Sequence, residues 1–556
     1  MTNEQSRFAT ARDAALSSVM FPHNLAPATV SFSTYGHLLI TGSEDMIRLA
    51  AEQLRDMASL TLLVTENVQN QDSEHLEKAL NCATDLTVYS AKLKAVKGFL
   101  GQFQTIIEQN GETAELAKVA QNRATFDLIL NLGEQNLFNT ELPPAGYFHV
   151  KPESDQLNEL IDELPGYIGE FDKPRYFQIN NDICAHSSRG QMGCTRCLEV
   201  CPADAISSLN DKVEINPHLC HGAGGCATAC PTGAINYALP QPQRLHEYLQ
   251  RLLQNYLSQG GEKPVILFHD HEQGKVLVDQ NRDSLAGNII PVQLEEVAAA
   301  GQESWITCLA SGAIQVLLLD TEAVPQVVRD LLNKEVSLTQ LMLDGLGYNS
   351  SQLQLISSEQ LLQISTGSDF KVIQPAALIN QSEKRNTLFA AIDHLVEQAK
   401  TELPSYLALP AGAPFGQVAV NNTSCTLCMS CVAVCPTQSL TDGGEKPALN
   451  FTEQSCVQCG LCEGACPEKA ITLEPRLLLT EQRSQRIEIH AEPAFECISC
   501  GKPFAPRSTV EKMIEKLSGH RMFQGPALNR LKMCEDCRVQ DIYTDLSANP
   551  EKQLEL

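Results

Sequence analysis

Residues 425–436 read CTLCMSCVAVCP, and residues 456–467 read CVQCGLCEGACP. Both follow the pattern C-x2-C-x2-C-x3-C-P, in which three cysteines of a short loop bind one iron–sulfur cube and the fourth binds the neighbouring cube. The proline after each fourth cysteine fixes φ and lacks an N–H, which helps the chain leave the loop. Zinc knuckles or disulfides are the alternative, but zinc sites use cysteines in pairs. We therefore predict two 4Fe-4S clusters, one on Cys425, Cys428, Cys431 and Cys466 and one on Cys435, Cys456, Cys459 and Cys462.

This stretch resembles the bacterial two-cluster ferredoxins over about sixty residues. The resemblance implies a ferredoxin-like βαβ-type dicluster module, which we place at residues 415–478, and a role in electron transfer.

The remaining chain is long enough for several domains, because 556 residues correspond to about three to five of them. Its formal charge of -26 argues against a nucleic-acid partner and favours a solvated acidic surface or docking onto basic redox proteins. The first residues lack an apolar signal region, and no run of eighteen apolar residues follows. We predict a cytoplasmic protein without a membrane span, in which 21 cysteines indicate metal binding because reducing conditions oppose disulfides.

Residues 1–175 are predicted to form an α/β domain without a metal motif. A strand near 30–40, a helix near 44–57 and a strand at 60–65 give a β-α-β pattern, and FDLILNLG (126–133) is typical of a buried parallel strand. No glycine-rich nucleotide motif occurs at a strand-to-helix turn. Cys82 is expected to be a buried thiol within a helix.

Residues 176–240 carry a second, divergent pair of cysteine runs. In the first run Gln191 stands where the first cysteine is expected, and we prefer the upstream Cys184 over His186 as the ligand. In the second run Ala223 replaces the second cysteine. The pattern predicts one 4Fe-4S cluster and one three-thiolate site. The cluster ligands are Cys184, Cys194, Cys197 and Cys230, and the three thiolates are Cys201, Cys220 and Cys226. The alternative is a module that has lost its clusters.

The three-thiolate site resembles that of ferredoxins in which a C-x5-C-x3-C-P run holds a 3Fe-4S cluster. A 4Fe-4S cluster with water or His221 on its open iron fits the sequence equally well.

Residues 241–365 are predicted to form a second α/β domain, because PVILFHD, NIIPVQL and IQVLLLD are typical of short buried strands separated by helices. These segments resemble the small iron–sulfur domain of the delta subunit of methyl-viologen-reducing hydrogenase. Of the cysteines that the resemblance implies, only Cys308 is present, and His269 stands where the family has a cysteine. The string His269-Asp270-His271 could suggest a metal site, but we disfavour it because two alternating histidines at a strand end lack a third ligand nearby in sequence and loop histidines are common.

Residues 366–414 are predicted to be a helical connector, with a helix capped by Ser382 and followed by a Pro/Gly-rich linker. Residues 479–556 form a tail with two C-x2-C pairs, which indicate a zinc-ribbon-like site of four thiolates. We favour a structural zinc over a single rubredoxin-like iron, which the same geometry would accept. The predicted ligands are Cys497, Cys500, Cys534 and Cys537.

Together these features predict a multidomain α/β protein with two ferredoxin-like modules and a zinc-ribbon-like tail. We expect three 4Fe-4S clusters, one 3Fe-4S or open 4Fe-4S cluster and one zinc, in a protein that relays single electrons between redox enzyme subunits and an acceptor. The layout resembles that of iron–sulfur proteins that accompany bacterial formate dehydrogenases. The alternatives are an oxidoreductase subunit with an open-iron substrate site and a cluster-bearing sensor or scaffold.

Overall fold

A computed structural model describes residues 3–24, 26–68, 73–151, 156–188, 190–364, 370–377, 383–399 and 402–548. Its fold is mixed α/β. The predicted helix cap Ser382 lies outside the described residues. None of the described helices combines the length and the hydrophobicity that crossing a membrane requires.

The N-terminal region is built on a five-stranded parallel sheet with apolar clusters on its two faces. In sheet order its strands are Val88–Ser90, Ser59–Val64, His37–Gly42, Leu128–Asn131 and Tyr147–His149. Beside it lie an antiparallel meander (Lys92–Lys97, Gln104–Gln109, Glu112–Glu115) and the helices Glu44–Gln53, Ser73–Leu80, Leu116–Gln121 and Gln156–Glu163. The buried parallel strand predicted within 126–133 is confirmed, because all four residues of Leu128–Asn131 are buried between parallel neighbours.

Two predictions for this region are wrong. The single strand expected near 30–40 is two strands, because Gly36 has a φ of 86° and breaks the extended backbone. The first of them, Thr29–Thr34, leaves the parallel sheet and pairs antiparallel with Gly169–Pro174. Cys82 is not in a helix or buried: the helix ends at Leu80, and Cys82 lies partly exposed in the turn that follows.

The central region contains a four-stranded parallel sheet that confirms the three predicted buried strands. In sheet order its strands are Ile289–Gln293, Val265–His269, Gln315–Asp320 and Leu353–Ser357, and the helices around it are Pro242–Ser258, Gln273–Asn281, Gln302–Ala310 and Gln326–Gly345. The N-terminal helix Asn3–Ser18 also packs here, on Pro242–Ser258, with Ala11 and Ala15 buried. Small alanine side chains allow the two helices to lie close together.

The first cysteine-rich module consists of short strands and one-turn helices, since most of its backbone forms loops around the thiols. Its strands are Phe177–Ile179, Ser187–Ser188, Gln191–Met192, Ile206–Leu209, Lys212–Ile215 and Ile235–Tyr237, and its helices are Arg196–Glu199 and Gly225–Ala229. The connector follows the central region and contains the helix Lys384–Glu397, whose buried face includes Leu388, Ile392 and Leu395.

The second module has the strands Gly416–Val420, Leu440–Asp442, Ala448–Phe451 and Ile471–Leu478 and the helices Ser430–Val434 and Leu461–Gly464. Neighbouring segments extend its sheets: Tyr406–Ala408 pairs with Ile471–Leu478, and Ile487–Ala491 of the tail pairs with Ala448–Phe451. The rest of the tail comprises a hairpin (Ala494–Glu496, Pro503–Pro506) and the helices Arg507–Leu517, Pro526–Arg530 and Glu535–Ala548. The tail is therefore joined to the second module by a shared sheet.

Candidate metal centres

The cysteines of the second module surround two separate cavities. Each cavity is lined by three cysteines of one run and the last cysteine of the other run. We call them site 3, with Cys435, Cys456, Cys459 and Cys462, and site 4, with Cys425, Cys428, Cys431 and Cys466. The structure thus brings together the two groups of thiols that the sequence pattern predicts.

Left-handed backbone positions allow these short loops to turn around the cavities. Leu427 (φ 52°) and Met429 (φ 59°) alternate with the cysteines of site 4, and Gln458 (φ 53°) with those of site 3. Such conformations are uncommon for residues other than glycine and tend to occur at functional sites. Donors that reach cysteine sulfurs include the N–H of Leu427 to Cys425 at 3.5 Å, the N–H of Ala470 to Cys466 at 3.2 Å, and Gln458 Nε2 to Cys456 at 3.4 Å. Hydrogen bonds of this kind stabilise anionic sulfur.

The thiol sets fit iron–sulfur clusters. Burial, followed by the charges of Cys425, Cys428 and Cys466, raises the pKa of Cys431 to about 12. Several thiolates so close together repel one another, and a positively charged metal core removes that repulsion. All 21 cysteines are free thiols, so none of these groups is tied up in a disulfide.

In the first module, Gln191 stands where the regular pattern has its first cysteine. An inserted hairpin brings the upstream Cys184 to the other thiols instead. The strands Ser187–Ser188 and Gln191–Met192 pair, and the N–H of Cys194 donates to the carbonyl of Ala185 at 2.9 Å. Burial and then the charges of Cys230, Cys194 and Cys184 raise the pKa of Cys197 to about 12. These four thiols form site 2.

His186, the alternative ligand, has no free ring nitrogen. Its Nδ1 lies 2.9 Å from the carbonyl oxygen of Cys194, and its Nε2 lies 2.7 Å from Ser208 Oγ. The side chain is 1% exposed, so it fixes the hairpin against the module. This arrangement favours Cys184 as the thiol that completes site 2.

Cys201, Cys220 and Cys226 line a further cavity, site 1, in which Ala223 takes the position of the missing cysteine. The loop approaches its neighbours closely: a Cβ on Gly222 would lie 2.7 Å from the Tyr176 ring, and one on Gly224 would lie 2.6 Å from the Ala299 nitrogen. Both glycines have positive φ. His221 also lines the cavity, and its buried Nε2 has no hydrogen-bond partner among the described residues.

The tail cysteines form the most compact group. The sulfurs of Cys497, Cys500, Cys534 and Cys537 all lie within 4.8 Å of one another, and Cys500 and Cys534 are 3.7 Å apart. Tetrahedral zinc with Zn–S bonds of about 2.3 Å requires sulfurs about 3.8 Å apart. Although desolvation opposes it, hydrogen bonds from Cys534, Cys500 and Ser499 lower the pKa of Cys497 to about 6. The thiols therefore fit a single metal ion.

The two tail pairs differ in their surroundings. Cys497 and Cys500 lie in the loop of the hairpin, whereas Cys534 and Cys537 lie at the start of the helix Glu535–Ala548. The loops are tied together by a hydrogen bond of 3.1 Å from the N–H of Ile498 to the carbonyl of Lys532.

The central region contributes no comparable group. His269 lies 2.9 Å from the carbonyl oxygen of Asp270, and His271 lies 2.7 Å from that of Glu295. Among the described residues, the group of three or more side chains that could bind one metal ion lies in the tail and not in the central region. Cys308 is 0% exposed in the apolar core, and burial raises its pKa. The structure therefore brings no further thiol to Cys308.

Two cations that no sequence motif indicates lie between the modules. Lys384 and Arg385 begin the connector helix and donate to backbone carbonyls of the cysteine loops, Arg385 from a buried position and Lys384 from a half-buried one. Burial lowers the pKa of Arg385 to about 10, despite the opposing effect of Cys456. A pair of basic residues at a helix start is too common a feature to single out from sequence.

Comparison with known proteins agrees with the two cysteine-rich modules. Residues 424–471 match the family model described as 4Fe-4S dicluster domain, and residues 191–239 match that described as LdpA Fe-S cluster-binding domain. The chain is 38% identical over 64 residues to hydrogenase-4 component A of Escherichia coli, covering 12% of this chain and 29% of that protein. It is 36% identical over 55 residues to the ferredoxin 7Fe of Hydrogenibacillus schlegelii and 34% identical over 55 residues to a ferredoxin of Alicyclobacillus acidocaldarius. Each of these two matches covers 10% of this chain and 70% of the ferredoxin.

These matches, together with the grouped thiols, define an iron–sulfur protein of the electron-transfer class that binds 4Fe-4S clusters. The chain belongs to the ferredoxin family, through a segment that makes up about a tenth of its length. The chain spans less than a third of the hydrogenase component that it matches.

Proposed function

We propose that this protein relays single electrons between a redox enzyme and an acceptor, using three 4Fe-4S clusters and one 3Fe-4S or open 4Fe-4S cluster. The observation that carries the proposal is the grouping of fifteen thiols into three sets of four and one set of three. When bound, such clusters exchange one electron at a time. The chain supplies burial, hydrogen bonds and fixed spacing.

The proposed assignment places clusters at sites 2, 3 and 4 and the three-thiolate cluster at site 1. The match to a protein named ferredoxin 7Fe supports a cluster with fewer than four irons at one site. In the tail, the sulfur spacing supports one structural zinc, in a segment that we propose resembles a zinc ribbon. The units that we propose are 1–175, 176–240, 241–365, 366–414, 415–478 and 479–556.

Metal analysis tests this assignment directly. Protein purified without oxygen is expected to contain about 15 to 16 irons, with acid-labile sulfide to match, and one zinc. A content near eight irons would remove the first module from the proposal. Two metal ions in the tail, or iron there, would exclude the structural zinc.

The proposed partners are subunits of redox enzymes. The match to a hydrogenase component supports this class, and the layout predicts a formate dehydrogenase within it. Purified formate dehydrogenase with formate should bleach the cluster absorbance of this protein, whereas formate alone should not. Reduction by hydrogenase with hydrogen, but not by formate dehydrogenase with formate, would assign the protein to a hydrogenase instead.

A second candidate function is favoured by one feature of site 1. There Ala223 leaves a corner of the cavity without a thiol, and the unpartnered Nε2 of His221 lines the same cavity. An exposed fourth iron at this corner would act as a Lewis acid toward a substrate, as in an oxidoreductase subunit. The Ala223→Cys variant described in the Discussion separates the two functions.

A further inference from the structure

We infer that the two modules form one continuous electron path, in the order site 1, site 2, site 3 and site 4, and that it crosses between modules where Gly193 meets Leu461. This inference rests on the proposed electron-transfer function. It adds the order of the sites and the residues of the chain that fix the crossing.

The crossing is a direct contact between two ligand loops. Gly193 precedes Cys194 of site 2, and Leu461 lies between Cys459 and Cys462 of site 3. A Cβ built on Gly193 would lie 2.8 Å from Leu461 Cγ and 2.8 Å from the carbonyl oxygen of Ala185. No side chain fits between the loops at this point.

Two consecutive residues of the connector helix hold the modules in this relation. Lys384 Nζ donates to the carbonyls of Ala227 and Thr228 in the first module, at 2.7 and 3.1 Å. Arg385 donates through Nε to the carbonyl of Gln454 and through a terminal nitrogen to that of Cys456, both at 2.5 Å, in the second module. Because adjacent Cα atoms are about 3.8 Å apart, this pair fixes the distance between the modules.

A third cation strengthens the same junction. Arg196, which lies between Cys194 and Cys197, donates to the carbonyl of Ala229 at 2.9 Å and to that of Gly412 at 3.0 Å. Gly412 belongs to the linker that leads into the second module. Arg196 also forms an ion pair with the buried Glu335 of the central region. The junction therefore depends on three cations of the chain.

Within each module the sites are likewise adjacent. Cys197 and Cys230 of site 2 are buried in one packed cluster, against which Cys201, Cys220 and Cys226 of site 1 lie. In the second module, Cys431 of site 4 is buried in the same cluster as Cys456 and Cys462 of site 3. Each module therefore holds its two sites within one packed core.

The two ends of the path differ. Cys428 of site 4 is exposed, so this end reaches the surface. Site 1 is covered by the N-terminal region: Lys173 Nζ donates to the carbonyl of Cys220 at 2.9 Å, and Phe99 stacks on His218 at 4.3 Å. Each crossing moves one electron from the reduced cluster of one module to the oxidised cluster of the other, with no bond made and no proton moved. A one-electron reductant of the viologen class supplies the first electron.

The test is to separate the loops while keeping every thiol. In Gly193→Val the new side chain meets Leu461, so the magnetic coupling between the reduced clusters of sites 2 and 3 should weaken in the electron paramagnetic resonance spectrum. Gly464→Ala is the matched control, because its Cβ would lie 3.7 Å from Gln191 Oε1, an ordinary contact, and its coupling should stay unchanged. After rapid mixing of the dye-reduced protein with an oxidant, electrons should leave site 2 at least tenfold more slowly in Gly193→Val.

A second variant covers the case in which Gly193→Val loses iron. Lys384→Met combined with Arg385→Met leaves the loops intact but removes the donors that hold them. It should weaken the coupling and increase hydrogen–deuterium exchange of 191–194 and 456–462, which reports on the chain independently of the clusters. Unchanged coupling in an iron-replete Gly193→Val, or in the double variant when Gly193→Val loses iron, would overturn the path. A parent protein without clusters at the first module would instead overturn the proposed function.

Discussion

The two cysteine-rich modules reach similar arrangements of thiols by different routes. In the second module all eight cysteines stand at regular spacing, and short loops with left-handed residues place them around two cavities. In the first module one cysteine has moved upstream of its usual position and another is replaced by Ala223. The paired strands Ser187–Ser188 and Gln191–Met192 compensate for the move, whereas no thiol compensates for the replacement in the cavity that Ala223 and His221 line. The position of a ligand in three dimensions therefore determines whether it can bind a cluster. A regular spacing in sequence is one way to reach that position, and an inserted hairpin is another.

The modules also differ in their surroundings. The second module presents Cys428 to solvent and shares a sheet with the tail. The first lies between the N-terminal and central regions, with Cys220 under Lys173 and Gly224 against Ala299. The irregular module is thus the enclosed one. The four predictions that follow test how far this difference extends, beginning with the largest effect.

The first prediction removes the relocated ligand. Cys184→Ser should abolish the closed 4Fe-4S cluster of site 2, because His186 has both ring nitrogens engaged and cannot replace the thiol. We expect a loss of about one to four irons, measured by iron analysis together with electron paramagnetic resonance. Cys82→Ser is the control, since Cys82 lies in no thiol group, and it should leave the iron content unchanged.

A double variant sharpens this test. Gln191→Cys in the Cys184→Ser background restores the regular spacing in sequence. Gln191 is exposed on the hairpin, however, so a cysteine there would not lie among the other thiols. We expect no recovery of the cluster. Full recovery would show that spacing, and not the hairpin, determines the ligand set.

The second prediction concerns the tail, which shares a sheet with the second module and not with the first. Cys534→Ser should remove the zinc and make the tail sensitive to protease, because a structural metal contributes folding free energy directly. The iron content should stay the same, since the sulfurs of the tail form a separate group. Elemental analysis and limited proteolysis check both parts, and loss of about four irons would place a cluster ligand in the tail.

The third prediction regularises the first module. Ala223→Cys restores C-x2-C-x2-C-x3-C-P and should yield a closed 4Fe-4S cluster at site 1, with a gain of at most about one iron. A 3Fe-4S signal in the oxidised parent protein that disappears in the variant would support the electron relay.

The same variant tests the alternative function. A relay should still pass electrons to an acceptor dye, at a rate changed by the new potential. An enzyme that binds substrate at an open iron should lose turnover altogether, and its parent spectrum should change when substrate is added.

The fourth prediction has the smallest effect. Gln458→Ala removes the Nε2 donor to Cys456 and should lower the reduction potential of site 3, because the donor stabilises the more negative, reduced state. The expected shift is on the order of 20–60 mV, the one-electron equivalent of about 0.5–1.5 kcal/mol for one hydrogen bond. A redox titration measures it. Gln482→Ala, an exposed position, is the control and should show no shift.

Parts of the fold could be predicted from sequence because their signals are local. The buried strands of the central sheet are continuous apolar runs, as strands covered on both faces must be, and all three were found at their predicted places. The prediction of one strand near 30–40 was wrong, and the reason is also local. A single glycine in a left-handed conformation divides the segment into an alternating strand and a continuously buried one.

The sequence by itself determined the chemistry of this protein. Cysteine identity, spacing and the following prolines indicate iron–sulfur binding, since soft thiolates at those intervals match the cluster. Only the tertiary structure decided between Cys184 and His186 in the divergent module, and how the modules face each other. Those relations depend on a hairpin, on Gly193 and Leu461, which are 268 positions apart along the chain, and on the hydrogen bonds of Lys384 and Arg385 to distant carbonyls. Contacts between residues so far apart leave no periodic pattern, because they follow from how completed elements pack and not from local backbone preference.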